Sequence, residues 1–232
     1  MIFAKLFGRH RPAGHEKLIV VDFDHALFNT EEFKESLREI FIRHGIDREL
    51  YEETYKRIRT VEKSPYSLER HLDILEGKIY DKQKLQQIKR EVMLLLRATD
   101  KYLFPDTIDF LEKEKRDNKL MLLTLGELDF QSLKIRYAGI EKYFAKVIIS
   151  RGRLGKGTKE REVAKIASNH RHQKIVIIED VAENIDLIKK ICPEVITIKV
   201  ERPGAKYSHL PSVATNYVVS DLKAAAKIID QL

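Results

Sequence analysis

Leu18-Ile19-Val20-Val21-Asp22-Phe23-Asp24 decides the fold: four apolar residues, mostly β-branched, run without alternation into two acids two positions apart. A strand that is apolar on both faces belongs in the middle of a parallel sheet covered on both sides. Four more runs share that character: 120–125 (LMLLTL), 146–150 (KVIIS), 174–180 (KIVIIED) and 194–200 (EVITIKV). Helical patterns lie between them, so the spacing predicts βαβ units and a doubly wound α/β sheet. A short Tyr217-Val-Val-Ser adds an edge strand, and Leu222 to Gln231 reads as a closing helix.

The first two strands are separated by close to a hundred residues, far more than one crossover helix needs. Within the gap, 31–44 and 81–99 carry apolar residues at helical spacing, such as Phe33, Leu37, Ile40 and Phe41, with charges opposite. Gly45, Pro65 and Gly77 punctuate the segment into several helices, and Pro105 marks the return to the sheet. The expected organisation is an N-terminal arm at 1–15, a core of 16–29 and 102–232, and an inserted α-helical domain at 30–101.

The 232 residues are 43% hydrophobic and 34% charged, the profile of a chain that buries a core. A single cysteine, Cys192, cannot form an internal disulfide and reads as a small core residue, which fits a reducing compartment. No apolar run reaches the length of a membrane span or a signal peptide, so the expected location is cytoplasmic, without a membrane partner. The net charge of +7 is unevenly placed: 31–100 balances, whereas 151–174 holds eight basic residues against Glu160 and Glu162. A local positive field suits a small phosphorylated substrate better than a duplex, which needs a basic stripe along a surface. Nucleic acid is the less favoured partner but stays open as an end-phosphatase substrate, and the oligomeric state is not legible.

Ligands of open α/β sheets bind beyond the carboxyl ends of the strands. There the first strand ends in Asp22 and Asp24, the second in Thr124, Leu125 and Gly126, and the fourth in Glu179 and Asp180, while the third leads through Gly152 and Gly155 to Lys156. Taken singly, Asp-x-Asp can be a turn former, Thr124 a β-branched core residue and Lys156 a surface amine.

In this order the segments Val20-Val-Asp-Phe-Asp-His-Ala-Leu-Phe, Leu122-Leu-Thr-Leu-Gly, Lys156-Gly-Thr-Lys-Glu and Ile178-Glu-Asp-Val-Ala-Glu-Asn-Ile resemble the four motifs of the haloacid dehalogenase (HAD) superfamily of phosphohydrolases. The stretch from Gln131 through Lys134 and Gly139 to Tyr143-Phe144 resembles the helix and turn usual after the second motif. The resemblance implies a Rossmann-like core, a mobile helical cap in the insert, and a Mg²⁺-dependent phosphoric monoester hydrolase. Asp22 would be the nucleophile and Asp24 the proton donor and acceptor, provided its surroundings raise its pKa. Thr124, the amide of Leu125 and Lys156 would hold the phosphoryl oxygens. Mg²⁺ would be bound by Asp22, Asp180 and the backbone carbonyl of Asp24. Lys159 is the rival to Lys156, but it falls at the start of a helix after Thr158, a candidate N-cap.

Departures accompany the matches. His25 and Ala26 stand where the superfamily usually has Gly and Thr; a β-carbon at the first restricts the backbone, and the imidazole could touch substrate. Supporting roles fall to His25, Glu179, Glu183 and Asn184. Tyr51, Tyr55, Arg59, Tyr66, Arg70 and His71 are the cap residues that could face the substrate. A phosphomutase of the same superfamily, or a non-catalytic protein that binds a phosphorylated ligand on this scaffold, remains the alternative.

Overall fold

The computed structural model describes residues 17–61, 64–150 and 159–232. Six parallel strands form one sheet in the order β3-β2-β1-β4-β5-β6: β1 Leu18–Val21, β2 Lys119–Leu125, β3 Lys146–Ser150, β4 Ile175–Glu179, β5 Ile196–Val200 and β6 Tyr217–Val219. The Tyr217 run is indeed the edge strand. The chain winds outward from β1 to one edge and returns to wind outward from β4 to the other, giving the expected doubly wound, Rossmann-like sheet.

Both faces of the central strands are buried, which explains their unbroken apolar runs. Ile19, Val21, Leu120, Leu122, Val176 and Ile178 pack with residues of α5 (Thr107–Asp117), α6 (Leu128–Tyr137) and α9 (Leu222–Gln231). Leu18, Val20, Met121, Leu123, Ile175 and Ile177 pack instead on Val163 and Ile166 of α7 (Lys159–Asn169) and on Ile188 of α8 (Ala182–Ile191). Cys192 lies buried in that second layer.

Between β1 and β2 the chain forms α1 (Thr30–Arg43), α2 (Arg48–Lys56) with a π-helical turn Arg57–Val61, α3 (Leu68–Ile79) and α4 (Lys82–Arg97). Each of the four has a side-chain N-cap, from Asn29, Asp47, Ser67 and Asp81, so their starts are locally encoded. Phe33, Leu37, Ile40 and Phe41 form the buried stripe of α1. Gly77 does not divide the insert as expected: α3 runs through it and ends at Tyr80, whose φ of 47° leaves the helix in the left-handed region. His71 lies buried among the insert helices, stacked on Phe41 and bonded to Thr54 Oγ1 at 2.8 Å and Tyr66 OH at 3.2 Å. Burial lowers its pKa to about 3, so the imidazole stays neutral as a packing element. Among the described residues no helix is long and apolar enough to cross a membrane.

The segment after β5 returns to brace the loop after β1. Arg202 makes paired bonds to Asp106 at 2.9 and 2.8 Å, donates to the carbonyl of Ala26 at 2.9 Å, and lies 4.1 Å from the Phe104 ring centroid. Asp106 also accepts from the Leu222 amide, tying in the start of α9. Removing one partner of a buried ion pair leaves the other charge without compensation. Arg202→Met is therefore expected to destabilise the protein by about 3–5 kcal/mol in urea unfolding; a loss under about 1 kcal/mol would show that the clamp carries little.

Candidate active site

The site follows from strand register. Val21 lies beside Leu122 of β2 and Ile178 of β4, and the Asp22 amide continues the ladder to the Ile178 carbonyl at 2.9 Å. One residue past the register, Asp22, Glu179 and Asp180 meet at the point where the windings diverge, the natural crevice of such a sheet. All three are buried, and one oxygen of each lies within 4.8 Å of the others.

Among the described residues one ammonium enters this cluster. Lys159, the first residue of α7, is buried and places Nζ 2.8 Å from Asp22 Oδ1 and 2.7 Å from Glu179 Oε2. Burial alone would lower its pKa; the charges of Asp22 and Glu179 outweigh burial and hold it above the usual lysine value. Burial raises Asp22 to about 7, with Lys159 opposing and Glu179 adding. Asp180 lies well above the ordinary carboxylate range, through burial first and then the charges of Glu179 and Asp22.

Among the described residues, three buried carboxylates surround a single ammonium, which leaves two negative charges over when all are ionised. Glu179 is largely committed: its oxygens accept from Lys159, the Val181 amide and Asn184 Nδ2. Among the described residues, Asp22 Oδ1, apart from its ion pair with Lys159, and Asp180 Oδ2 have no hydrogen-bond donor. Unsatisfied buried oxygens with a deficit of two positive charges suit a hard divalent cation, so the residues fit Mg²⁺, with Glu179 as support behind them.

Asp24 is held differently. Its carboxylate accepts from Lys134 Nζ at 2.7 Å and Thr30 Oγ1 at 2.8 Å on one oxygen, and from Gln131 Nε2 at 2.8 Å on the other. Burial would raise its pKa, but Lys134 and these hydrogen bonds prevail and hold it well below the usual carboxylate range. This corrects the expectation that its surroundings raise the pKa for proton donation: Asp24 stands ionised. Lys134 is buried, with Nζ 5.0, 4.6 and 5.4 Å from the ring centroids of Phe23, Phe28 and Phe33. Gln131 also donates to Thr124 Oγ1 at 3.0 Å. A β-carbon on Gly126 would lie 2.8 Å from Gln131 Cβ, so glycine is what lets α6 begin this close to β2.

His25 has a φ of 60° and a buried side chain, with Nε2 3.4 Å from Glu31 Oε1 and the ring edge-on to Tyr207 at 6.1 Å. A cavity of about 920 Å³ opens from the acids toward the insert.

Comparison of this structure with solved ones finds the same architecture at low identity. A Burkholderia xenovorans protein assigned to the haloacid dehalogenase-like hydrolases superposes with a TM-score of 0.76 at 15% identity, over 94% of this chain and 98% of its own. YfnB of Bacillus subtilis, assigned to the HAD-hydrolases and solved bound to magnesium, gives 0.62 at 14% identity, over 93% and 99%. The L-2-haloacid dehalogenase of Xanthobacter autotrophicus, with chloropropionic acid covalently bound, gives 0.62 at 13%, over 94% and 99%. This chain has the haloacid dehalogenase-like fold. No family model matches the sequence and no curated protein matches it.

Within that fold, Asp22, Asp24, His25, Thr124, Leu125, Asp180, Glu183 and Asn184 all line the cavity as the sequence placed them. Lys156, Gly152, Gly155 and Thr158 lie outside the described residues. Among the described residues it is Lys159, in the first turn of α7, that pairs with Asp22. Of the six insert candidates, Tyr55, Arg59 and Tyr66 line the cavity. Tyr51 and His71 are buried in helix packing instead, and Arg70 is exposed away from the cavity. Sequence reasoning missed Thr30, Gln131 and Lys134 as partners of Asp24.

The raised carboxylates set a sign for stability. With Asp22 near 7 in the metal-free fold and near the ordinary value when unfolded, the folded form holds the extra proton, so stability falls as pH rises through that interval. His71 acts oppositely, costing stability as pH falls below its unfolded value toward about 3. Above about pH 6.5, where His71 no longer opposes, the thermal midpoint of metal-free protein should fall as pH rises through about 7, and saturating Mg²⁺ should reverse the fall. A midpoint that stays flat with and without Mg²⁺ would contradict the cluster as a cation site.

Proposed function

We propose that the protein is a Mg²⁺-dependent phosphatase that hydrolyses a small phosphate monoester through a phospho-aspartate on Asp22. The observation that carries this reading is the buried Asp22–Asp180–Glu179 cluster, short of two positive charges, with a second carboxylate, Asp24, beside the nucleophile. Displacement of a halide needs no such second carboxylate, whereas phosphate esters release an alkoxide that must be protonated.

Asp22, oriented by Lys159, attacks phosphorus; the new P–O bond forms as the bond to the leaving oxygen breaks. Lys159 and Thr124 favour negative charge on the phosphoryl oxygens. A divalent cation held by Asp22, Asp180 and the Asp24 carbonyl would supply further charge neutralisation there. The leaving alkoxide takes its proton from the Asp24–Lys134 pair, in which the proton rests on the ammonium 2.7 Å from Asp24 Oδ1. Asp24, ionised, then takes a proton from the water that attacks the acyl phosphate, and Asp22 is restored as a carboxylate.

Phosphate release from a panel of esters, with and without Mg²⁺, tests this directly. Asp22→Asn is expected to reduce release to background and Asp24→Asn to reduce it by about 10²–10⁴-fold. Between the two lysines, Lys159→Met should abolish turnover while Lys156→Met retains most of it; the reverse would return the role to Lys156. Chloride release from 2-chloropropionate, with no phosphate release from any ester, would replace the phosphatase by a dehalogenase.

A further inference from the structure

The cavity above the acids is large for the reaction it serves. At about 920 Å³ it lies near the top of the roughly 300–1,000 Å³ range of pockets that enclose drug-sized ligands, so a phosphoryl group with a two- or three-carbon tail would leave most of it unfilled. Its wall is an arc of rings drawn from both parts of the chain: Phe33 of α1, Tyr55 of α2, Tyr66 before α3 and Phe130 of α6. Tyr55 stacks on Tyr66 at 5.2 Å and 28°, Tyr66 meets Phe130 edge-on at 5.2 Å and 72°, and Phe33 meets Phe130 at 6.2 Å. Phe130 directly precedes Gln131, whose amide holds both Asp24 and Thr124, so the arc begins where the phosphoryl site ends. The rim acids Glu52 and Glu53 are engaged by Arg38 and Lys78, and Arg59 and Lys206 also line the opening.

We propose that this cavity selects a phosphate monoester whose leaving group carries a planar aromatic or heteroaromatic ring, seated against Tyr55, Tyr66 and Phe130. The proposal rests on the phosphatase reading and deepens it. Of these three rings half-buried Tyr55 is the most available to a ligand, since Tyr66 and Phe130 are buried. Ring stacking on aromatic side chains contributes about 1–3 kcal/mol per base.

The test compares esters that share a leaving alkoxide or nearly so: a nucleoside 5′-monophosphate against ribose 5-phosphate, and 2-phenylethyl phosphate against ethyl phosphate, all with Mg²⁺. The expected result is a kcat/KM about 10-fold or more higher for the ring-bearing member of at least one pair, with the ratio falling in Tyr55→Leu or Phe130→Leu. Thermal unfolding checks that each variant is folded. Equal rates within both pairs would overturn the proposal and leave the phosphatase standing. A preference untouched by either substitution would also overturn it, and phosphate release from none of the four, nor from any other ester, would remove both readings.

Discussion

The site depends on a single buried ammonium shared between Asp22 and Glu179. Lys159 loses its hydration in a dry interior, a cost of several kcal/mol for an isolated ion, and is retained because two carboxylates surround it. Those carboxylates need it as much. Asp22 and Asp180 are buried beside each other with too few donors, an arrangement that favours a protonated, uncharged form over a compact ionised cluster. Folding the metal-free chain therefore stores electrostatic cost at the carboxyl edge of the sheet. That cost is also the affinity a divalent cation would draw on.

The aliphatic sheet bears this cost. β1 is flanked by β2 and β4 with both faces covered, so Ile19, Val21, Leu18 and Val20 fix the strand rigidly up to the last residue before Asp22. Side chains of successive strand residues point to opposite faces, and a slip of one residue would move Thr124 from the layer shared with Leu120 and Leu122 to the other side. The two apolar layers thus supply stability and set the direction in which each polar end group points. Asp24, one turn of loop further on, no longer has the ladder to hold it, and α6 takes over through Gln131 and Lys134.

The sheet, the insert and the acids of the first and fourth strands were legible because each leaves a local mark. Unbroken β-branched runs mark strands buried on both faces, and Asn29, Asp47, Ser67 and Asp81 mark helix starts. The lysines were less legible. A lysine is ordinarily a surface residue, and nothing within a few positions of Lys159 or Lys134 reveals the carboxylates that draw them inside. A weaker signal existed. Lys159, Val163 and Ile166 share one helix face, as do Phe130 and Lys134, so each amine sits in line with an apolar stripe. Gly77 misled in the opposite direction: a helix-weakening residue costs about 1 kcal/mol, less than the packing of Leu72 and Leu75 on the neighbouring helices supplies.

The loop after β1 shows why His25 can stand where glycine is usual. A non-glycine residue at positive φ costs of order 1–3 kcal/mol and persists only where its surroundings over-determine it. Here they do. The Leu27 and Phe28 amides both return to the Phe23 carbonyl, and the His25 amide bonds to the Phe28 carbonyl. Arg202 takes the Ala26 carbonyl, while Thr107 Oγ1 and the Phe104 amide take that of Leu27. With the backbone from Phe23 to Phe28 held by its own turn bonds and by partners on two other segments, the β-carbon of His25 cannot relax the turn. Asp24 is thereby left facing Lys134, and the imidazole is directed toward Glu31 and Tyr207. The departure at His25 is thus accommodated with Asp24 still held by Lys134 and Gln131.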